Sequence, residues 1–161
     1  MRGPSALPGR RNRAENRHVP EFHALSPIAD VIDPLPDSVC RRLLACNTLG
    51  RVGITSGGLP LILPVHYVYD DGVIVFRTGA GTKLRAAANG DVLAFEVDAY
   101  EETLGRGWSV MVLGRATVLS TEHGPAALST RGLTSAGERN HYVRLSCELV
   151  TGRVIEKSSH Y

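Results

Sequence analysis

The sequence predicts a mainly β domain, an antiparallel barrel of hairpin-linked strands with a few short helices. Three observations predict it. Short apolar runs are punctuated at Ser56-Gly57-Gly58 and at Asp70-Asp71-Gly72, the turn chemistry of β-hairpins. The 161 residues are 43% apolar with 17 Gly and 9 Pro, which describes a globular, turn-rich chain and excludes a fibrous or disordered one. Helical periodicity is confined to brief stretches, so the regular strand–helix alternation of a doubly wound parallel sheet is missing.

The elements follow in order. Residues 1–30 are rich in Arg, Pro, Asn and His without apolar period, and read as a flexible arm ahead of one domain over 31–161. Pro36-Asp37-Ser38 starts a helix that buries Val39, Leu43 and Cys46 and ends at Asn47. Strands are expected over Leu49–Thr55 and Leu59–Tyr69. The second contains Pro60 and Pro64, so it should lie at an edge, or be bulged or broken. A strand over Val73–Thr78, a glycine loop and a helix over Thr82–Ala88 come next. Val92–Val97 and Trp108–Leu119 are strands, the latter bent or bulged at Gly114. Asp98, Glu101 and Glu102 read as a solvated loop. Residues 122–131 can form a helix, and Tyr142–Ile155 returns to strand with a break at Thr151-Gly152.

Charge and cysteine content narrow the function. Residues 1–21 hold five arginines against two glutamates, which leaves 13 basic and 14 acidic groups in the remainder. The barrel therefore has no cationic excess for nucleic acid or an anionic membrane. Three cysteines without paired spacing argue against a disulfide framework, and no spacing suggests a metal site. No membrane-length apolar run or secretory leader is present, so the expected location is cytoplasmic.

The segment from Val73 to Arg85, VIVFRTGAGTKLR, carries the chemistry. A strand runs into glycines and then into a helix start at Thr82-Lys83. Unpaired N–H groups at such a start, close approach over glycine, the Thr82 hydroxyl and the Lys83 charge together suit a phosphate. A surface turn with a solvated lysine accounts for the same residues equally well. The glycine spacing fits neither a nucleoside-triphosphate loop nor a dinucleotide fingerprint. Glu96 and Asp98 share a strand face and read as an outer face in preference to an acid–base pair. Ser109 has no sequence partners for a hydrolase triad.

Three further segments flank it in order: Leu63-Pro64-Val65-His66-Tyr67, then Ala94-Phe95-Glu96-Val97-Asp98, then Trp108 to Ala116. With these the chain resembles the pyridoxamine-5′-phosphate-oxidase-like superfamily of FMN-binding split β-barrels, over about Leu35 to Lys157. The resemblance implies a flavoprotein oxidoreductase using FMN on a small molecule. It implies that Arg77 and Thr78 contact the cofactor, that Thr82 and Lys83 bind its phosphate, and that Leu63, Pro64, Val65, His66 and Tyr67 border the ring and ribityl chain. It also implies that Ser109, with Trp108 adjacent, reaches the ring across a homodimer interface. An apolar residue near Ile62 and Leu84 replace basic residues of the true oxidase, and the Trp- and Arg-bearing terminal segment is lacking. Pyridoxamine phosphate is therefore not carried over as substrate. A deazaflavin-dependent reductase on the same fold, or a non-catalytic flavin or haem binder, are the alternatives; His66 is where a haem ligand or a proton donor would sit.

The strand from Trp108 to Leu113 also bears on assembly. Trp108, Val110 and Val112 share one face and Ser109, Met111 and Leu113 the other. Both are largely apolar, so one should fill the barrel and the other meet a second copy.

Overall fold

The computed structural model describes residues 33–119 and 141–156. The arm over 1–30 and the helix expected over 122–131 fall outside the described residues. The elements are α1 (Asp37–Cys46), β1 (Leu49–Ser56), β2 (Leu59–Asp70), β3 (Val73–Thr78), α2 (Thr82–Ala88), β4 (Val92–Glu101), β5 (Arg106–Leu119), β6 (His141–Ser146) and β7 (Leu149–Glu156). The strand order is β4-β1-β2-β3-β6-β5-β7 and β4 also pairs with β5. Six strands thus close an antiparallel barrel, and β7 is appended to the free side of β5.

Alternation puts one side chain in two inside. Val52, Ile54, Val65, Tyr67, Ile74, Phe76, Leu93, Phe95, Val97, Val110, Val112, Val143 and Leu145 fill the barrel. Tyr67 and Phe95 meet edge to face at 4.8 Å between centroids. Cys40 and Leu44 from α1 and Ala86 and Ala87 from α2 close the core. The Tyr67 hydroxyl donates to the Leu44 carbonyl at 2.8 Å, which pins the end of α1 to the barrel. Burial pushes that phenol well above its ordinary range.

The two hairpins, β3 and α2 lie where the sequence places them. Three expectations need correction. In α1 the buried pair is Cys40 and Leu44, one turn apart, while Cys46 is exposed. Val39 and Leu43 flank this stripe and are half-buried. The strand from Val92 runs on to Glu101, because β5 offers it ten consecutive partners, so Asp98 and Glu101 belong to a strand. The last β segment is two strands, and the break falls at Cys147-Glu148. Gly152 does not interrupt β7; it leaves room for Cys40 and Leu35, which a Cβ there would strike. For β2 the edge is the alternative that holds, along a strand that is neither bulged nor broken. Pro60 and Pro64 pair with Thr55 and Arg51 of β1 only, so each lies on a locally unshared edge.

Gly114 marks a change of neighbour. Up to Leu113, β5 pairs with β7; from Ala116 it pairs with β6. A Cβ on Gly114 would overlap the Ser146 carbonyl oxygen. The Arg115 amide, at the gap between the β7 and β6 pairings, donates to the Glu148 carboxylate at 3.1 Å. Ahead of α1, the Leu35 amide donates to the Gly152 carbonyl at 2.9 Å, the Val154 amide donates to the Asp33 carbonyl at 3.1 Å, and Pro34 bridges to Arg153. These residues lie along the outer edge of β7.

Candidate functional site

The register of β2 creates the site. Its first eight residues, Leu59 to His66, pair with β1. Its last four, Tyr67 to Asp70, pair with β3. The final β2–β3 pair is Tyr67 with Phe76. One step on, His66 would face Arg77 and Val65 would face Thr78, yet the strands have parted. The result is a fork. One arm is the edge of β2 from Leu59 to His66, which has no strand partner on this side among the described residues. The other is the end of β3 with the loop into α2.

Each arm carries polar groups for a structural reason. Thr78 is the one buried polar residue of the described core, 4% exposed, and its hydroxyl donates to the Gly79 carbonyl at 3.1 Å, bracing the turn. Gly81 caps α2 at φ +151°, a conformation open to glycine, without any side-chain cap. A Cβ there would meet nothing within 4 Å, so the space above the loop is open. The first amides of α2 have no acceptor within the helix. With seven residues α2 has a small dipole, and the side chains must supply most of any anion affinity. Lys83 stands one turn before the buried pair Ala86 and Ala87, so its stem lies on the barrel side of α2 and is half-buried.

The fork brings together Leu63, Pro64, Val65, His66, Tyr67, Arg77 and Thr78, while Thr82 and Lys83 open the helix that follows its glycine loop and that packs on β5, β6 and β1. They do not all present side chains to it. Val65 and Tyr67 are buried inside the barrel and Leu63 packs against that core, whereas Pro64 and His66 are exposed on the outer face. The backbone groups of β2 that face the fork belong to the alternate residues, the Pro64 carbonyl and the His66 amide and carbonyl, because the Tyr67 amide is taken on the β1 side by the Thr48 carbonyl and Leu63 and Val65 share its orientation. Trp108 and Ser109 lie elsewhere. Trp108 packs against the core from the end of β5, and Ser109 faces outward between Asp98 and Arg153. Crossing from β2 through β1 and β4 to β5 is three strand spacings, about 14 Å.

Next to Pro64, on the outer face, a hollow of about 320 Å³ is lined among others by Cys46, Thr48, Arg51 and Asp98. Arg51 there binds Glu96 at 3.3 Å and also Asp98. Both carboxylates answer to one guanidinium on the outer face, so they form a surface cluster and not an acid–base pair. Among the described residues no three His, Cys, Asp or Glu side chains gather as for a metal. No described helix is long and apolar enough to cross a membrane.

The far side of the fork holds a group that the sequence did not single out. On β3, Val73, Val75 and Arg77 face away from the barrel. Val75 and Tyr142 of β6 nevertheless form a second buried cluster, with Val68, Val73 and Leu119 packed on it. Tyr142 is opposite Arg77 in register, and the Arg77 guanidinium lies 5.8 Å from the centre of its ring. The Tyr142 hydroxyl is sealed and has no hydrogen-bond partner among the described residues.

Comparison with known proteins agrees with this geometry. The profile of the pyridoxamine 5′-phosphate oxidase family matches residues 36–154. An uncharacterized Mycobacterium tuberculosis protein is 39% identical over 84 residues, 49% of this chain and 55% of its own, so the match spans about half of that relative. Among solved structures, a Mycobacterium smegmatis FAD binding protein is 31% identical with a TM-score of 0.64, over 78% of this chain and 100% of that one. A conserved Corynebacterium diphtheriae protein of unknown function is 26% identical with a TM-score of 0.64, over 80% and 100%. The β2–β3 fork, the six-stranded closure and the extent of the family match together place this chain in the pyridoxamine 5′-phosphate oxidase family, on the split-barrel fold.

Proposed function

We propose that the chain binds a flavin, FMN in the first instance, in the β2–β3 fork, and that it is an oxidoreductase acting on a small molecule. The observation that carries this reading is the fork itself. An unpaired strand edge faces a glycine loop with two basic side chains, Arg77 and Lys83, at the point where the register of β2 changes partner. The M. smegmatis protein described as binding FAD has the same fold at 31% identity.

The residues present fit such a group. Lys83, Thr82 and the amides that open α2 would hold the phosphate, with Arg77 beside them. The Pro64 carbonyl and the His66 amide and carbonyl, which face away from β1, would meet the polar edge of the ring. His66 and Pro64 border it from the outer face. A bound flavin supplies the electron and hydride transfer itself. The chain's part is to bind, to orient and to keep water out. His66 is the titratable side chain placed to hold or give a proton at the mouth of the fork.

A second copy completes the reading. Ile62, Gly53, Ala94, Leu113 and Leu149 form one row across β2, β1, β4, β5 and β7 on the outer face. Ile62 is 72% exposed. A twofold pairing through this row is the simplest closed arrangement, and it brings Ser109 of one copy toward the fork of the other. The interface expected is more than roughly 2,000 Å² in total.

One purified sample tests both. Its absorption spectrum, alone and after titration with FMN, FAD and riboflavin, separates a flavin from a deazaflavin band or a haem Soret band. Light scattering on the same sample gives the mass. The expected result is a dimer with one flavin per chain. No flavin at saturation overturns the cofactor, and a monomer that holds FMN stoichiometrically overturns the shared site.

A further inference from the structure

The β1–β2 hairpin is parted from its neighbours on both edges. On one edge β2 leaves β3 at the fork. On the other, β1 pairs with β4 at Gly53, Val52 and Arg51 and no further, although β1 begins at Leu49 and β4 runs on to Glu101. The Thr48 carbonyl faces β2, where it accepts from the Tyr67 amide, so the next residue, Leu49, turns its backbone groups toward β4. The register of Arg51 with Glu96 makes Asp98 the partner that Leu49 would meet, and this pair is not formed. The hollow of about 320 Å³ lies in this gap, lined among others by Asn47, Thr48, Leu49, Arg51, Pro64 and Asp98.

Its charged groups keep bonding capacity in reserve. Both bonds of Arg51 to carboxylates leave from Nη1, one to Glu96 Oε2 at 3.3 Å and one to Asp98 Oδ1. Nε and Nη2, an edge of the guanidinium that can grip a carboxylate with two parallel bonds, have no partner among the described residues, and neither has Asp98 Oδ2. The Arg51 and Asp98 side chains are 49% and 34% exposed, so a small molecule can reach both. Because the two are bonded to each other, an anion on Arg51 and a cation on Asp98 would lie side by side, as do the carboxylate and ammonium of an α-amino acid. One guanidinium between two carboxylates leaves the cluster net negative, which makes the ammonium the stronger requirement.

We propose that this hollow is a second binding site, for a small α-amino acid: Asp98 takes the ammonium, the free edge of Arg51 takes the carboxylate, and Leu49 and Pro64 meet an apolar side chain. Glu96 steadies the guanidinium. No bond is made or broken in this role.

Four five-carbon molecules test it on the full chain. Norvaline carries both charges close together, δ-aminovalerate carries the same charges apart, and pentylamine and pentanoate carry one each. Each is titrated into isotope-labelled protein by NMR while the amides of Leu49, Gly50, Arg51 and Asp98 are followed. Norvaline should bind about ten-fold more tightly than pentylamine, the gain from a charge-assisted carboxylate contact. Pentanoate should be weakest, and δ-aminovalerate no better than pentylamine. Arg51→Gln should weaken norvaline about ten-fold and spare pentylamine, whereas Asp98→Asn should favour pentanoate over pentylamine. Arg51→Lys keeps the charge without the two-bond grip and should fall between wild type and Arg51→Gln for norvaline. All three variants should melt near wild type, because an exposed ion pair contributes little to stability.

Equal binding of norvaline, pentylamine and pentanoate to wild type overturns the proposal, and so does norvaline binding that Arg51→Gln leaves unchanged. The absence of any shift at these amides up to about 10 mM norvaline overturns it as well. FMN takes no part in the titration, so this site and the flavin reading stand or fall separately.

Discussion

Two glycines show how differently the two sides of this barrel are built. At Gly114 the missing side chain is space already occupied: β5 passes so close to the end of β6 that the Ser146 carbonyl stands where a Cβ would be. At Gly81 the missing side chain is space left open, with nothing within 4 Å and a positive φ. The first lies where β4, β5, β6 and β7 interlock. The second lies at the fork, where β2 and β3 have stopped pairing. The lesson is that the β5 side is specified for stability and the fork for access, so substitutions on the two sides should fail in different ways.

The largest effect is expected at the crowded glycine. Gly114→Val forces a branched side chain against backbone that cannot move without breaking the β5–β6 ladder. Stability should fall by about 3 kcal/mol or more, measured by urea unfolding. A variant that stays within 1 kcal/mol of wild type, on the order of an ordinary surface change, would remove the contrast. At the fork, Lys83→Ala should leave the apo melting temperature unchanged and weaken FMN by about 1.5–3 kcal/mol, with riboflavin nearly unaffected. Equal weakening of both ligands would move the phosphate away from Lys83. The smallest effect sharpens the boundary between the two sides. Tyr67 borders the fork in sequence, but its side chain points inward to the Leu44 carbonyl. Tyr67→Phe should reduce stability by about 1–2 kcal/mol by leaving that carbonyl unpaired, with FMN affinity intact. A selective loss of FMN affinity would mean that this hydroxyl turns outward when ligand binds.

The parts of the molecule that were legible in the sequence are those set by neighbours in the chain. Both hairpin turns, the strand Val73–Thr78 and the helix Thr82–Ala88 are announced by glycine, aspartate and local periodicity. The fork was legible in part: the prolines of β2 signalled an unshared edge, and the resemblance to a known family supplied the residues around it. What escaped is set by partners far along the chain. The break at Cys147-Glu148 has no glycine or proline; it follows from the exchange of neighbours along β5 and is held by the Glu148 amide donating to Leu113 and Ser146. Asp98 looked like loop because its charged neighbours hide the ten-residue pairing with β5. In α1 the spacing allowed several stripes, and contact with β7 at Gly152 selected the one through Cys40. Tyr142 gave no signal, since His-Tyr-Val-Arg-Leu-Ser reads as an ordinary strand. Its interest comes from the register that sets it beside Arg77.

The residues that precede α1 have a consequence for the solubility of the protein. β7 stands outside the barrel closure and would offer its outer amides and carbonyls to any extended chain that came near. Such an edge is a template for aggregation. Asp33 and Leu35 take up hydrogen bonds of that edge, and Pro34 between them has no amide to pass the ladder on. Three residues thus act as a selvedge: they finish the sheet with the chain's own backbone and hold at their centre a residue to which no further strand can be stitched.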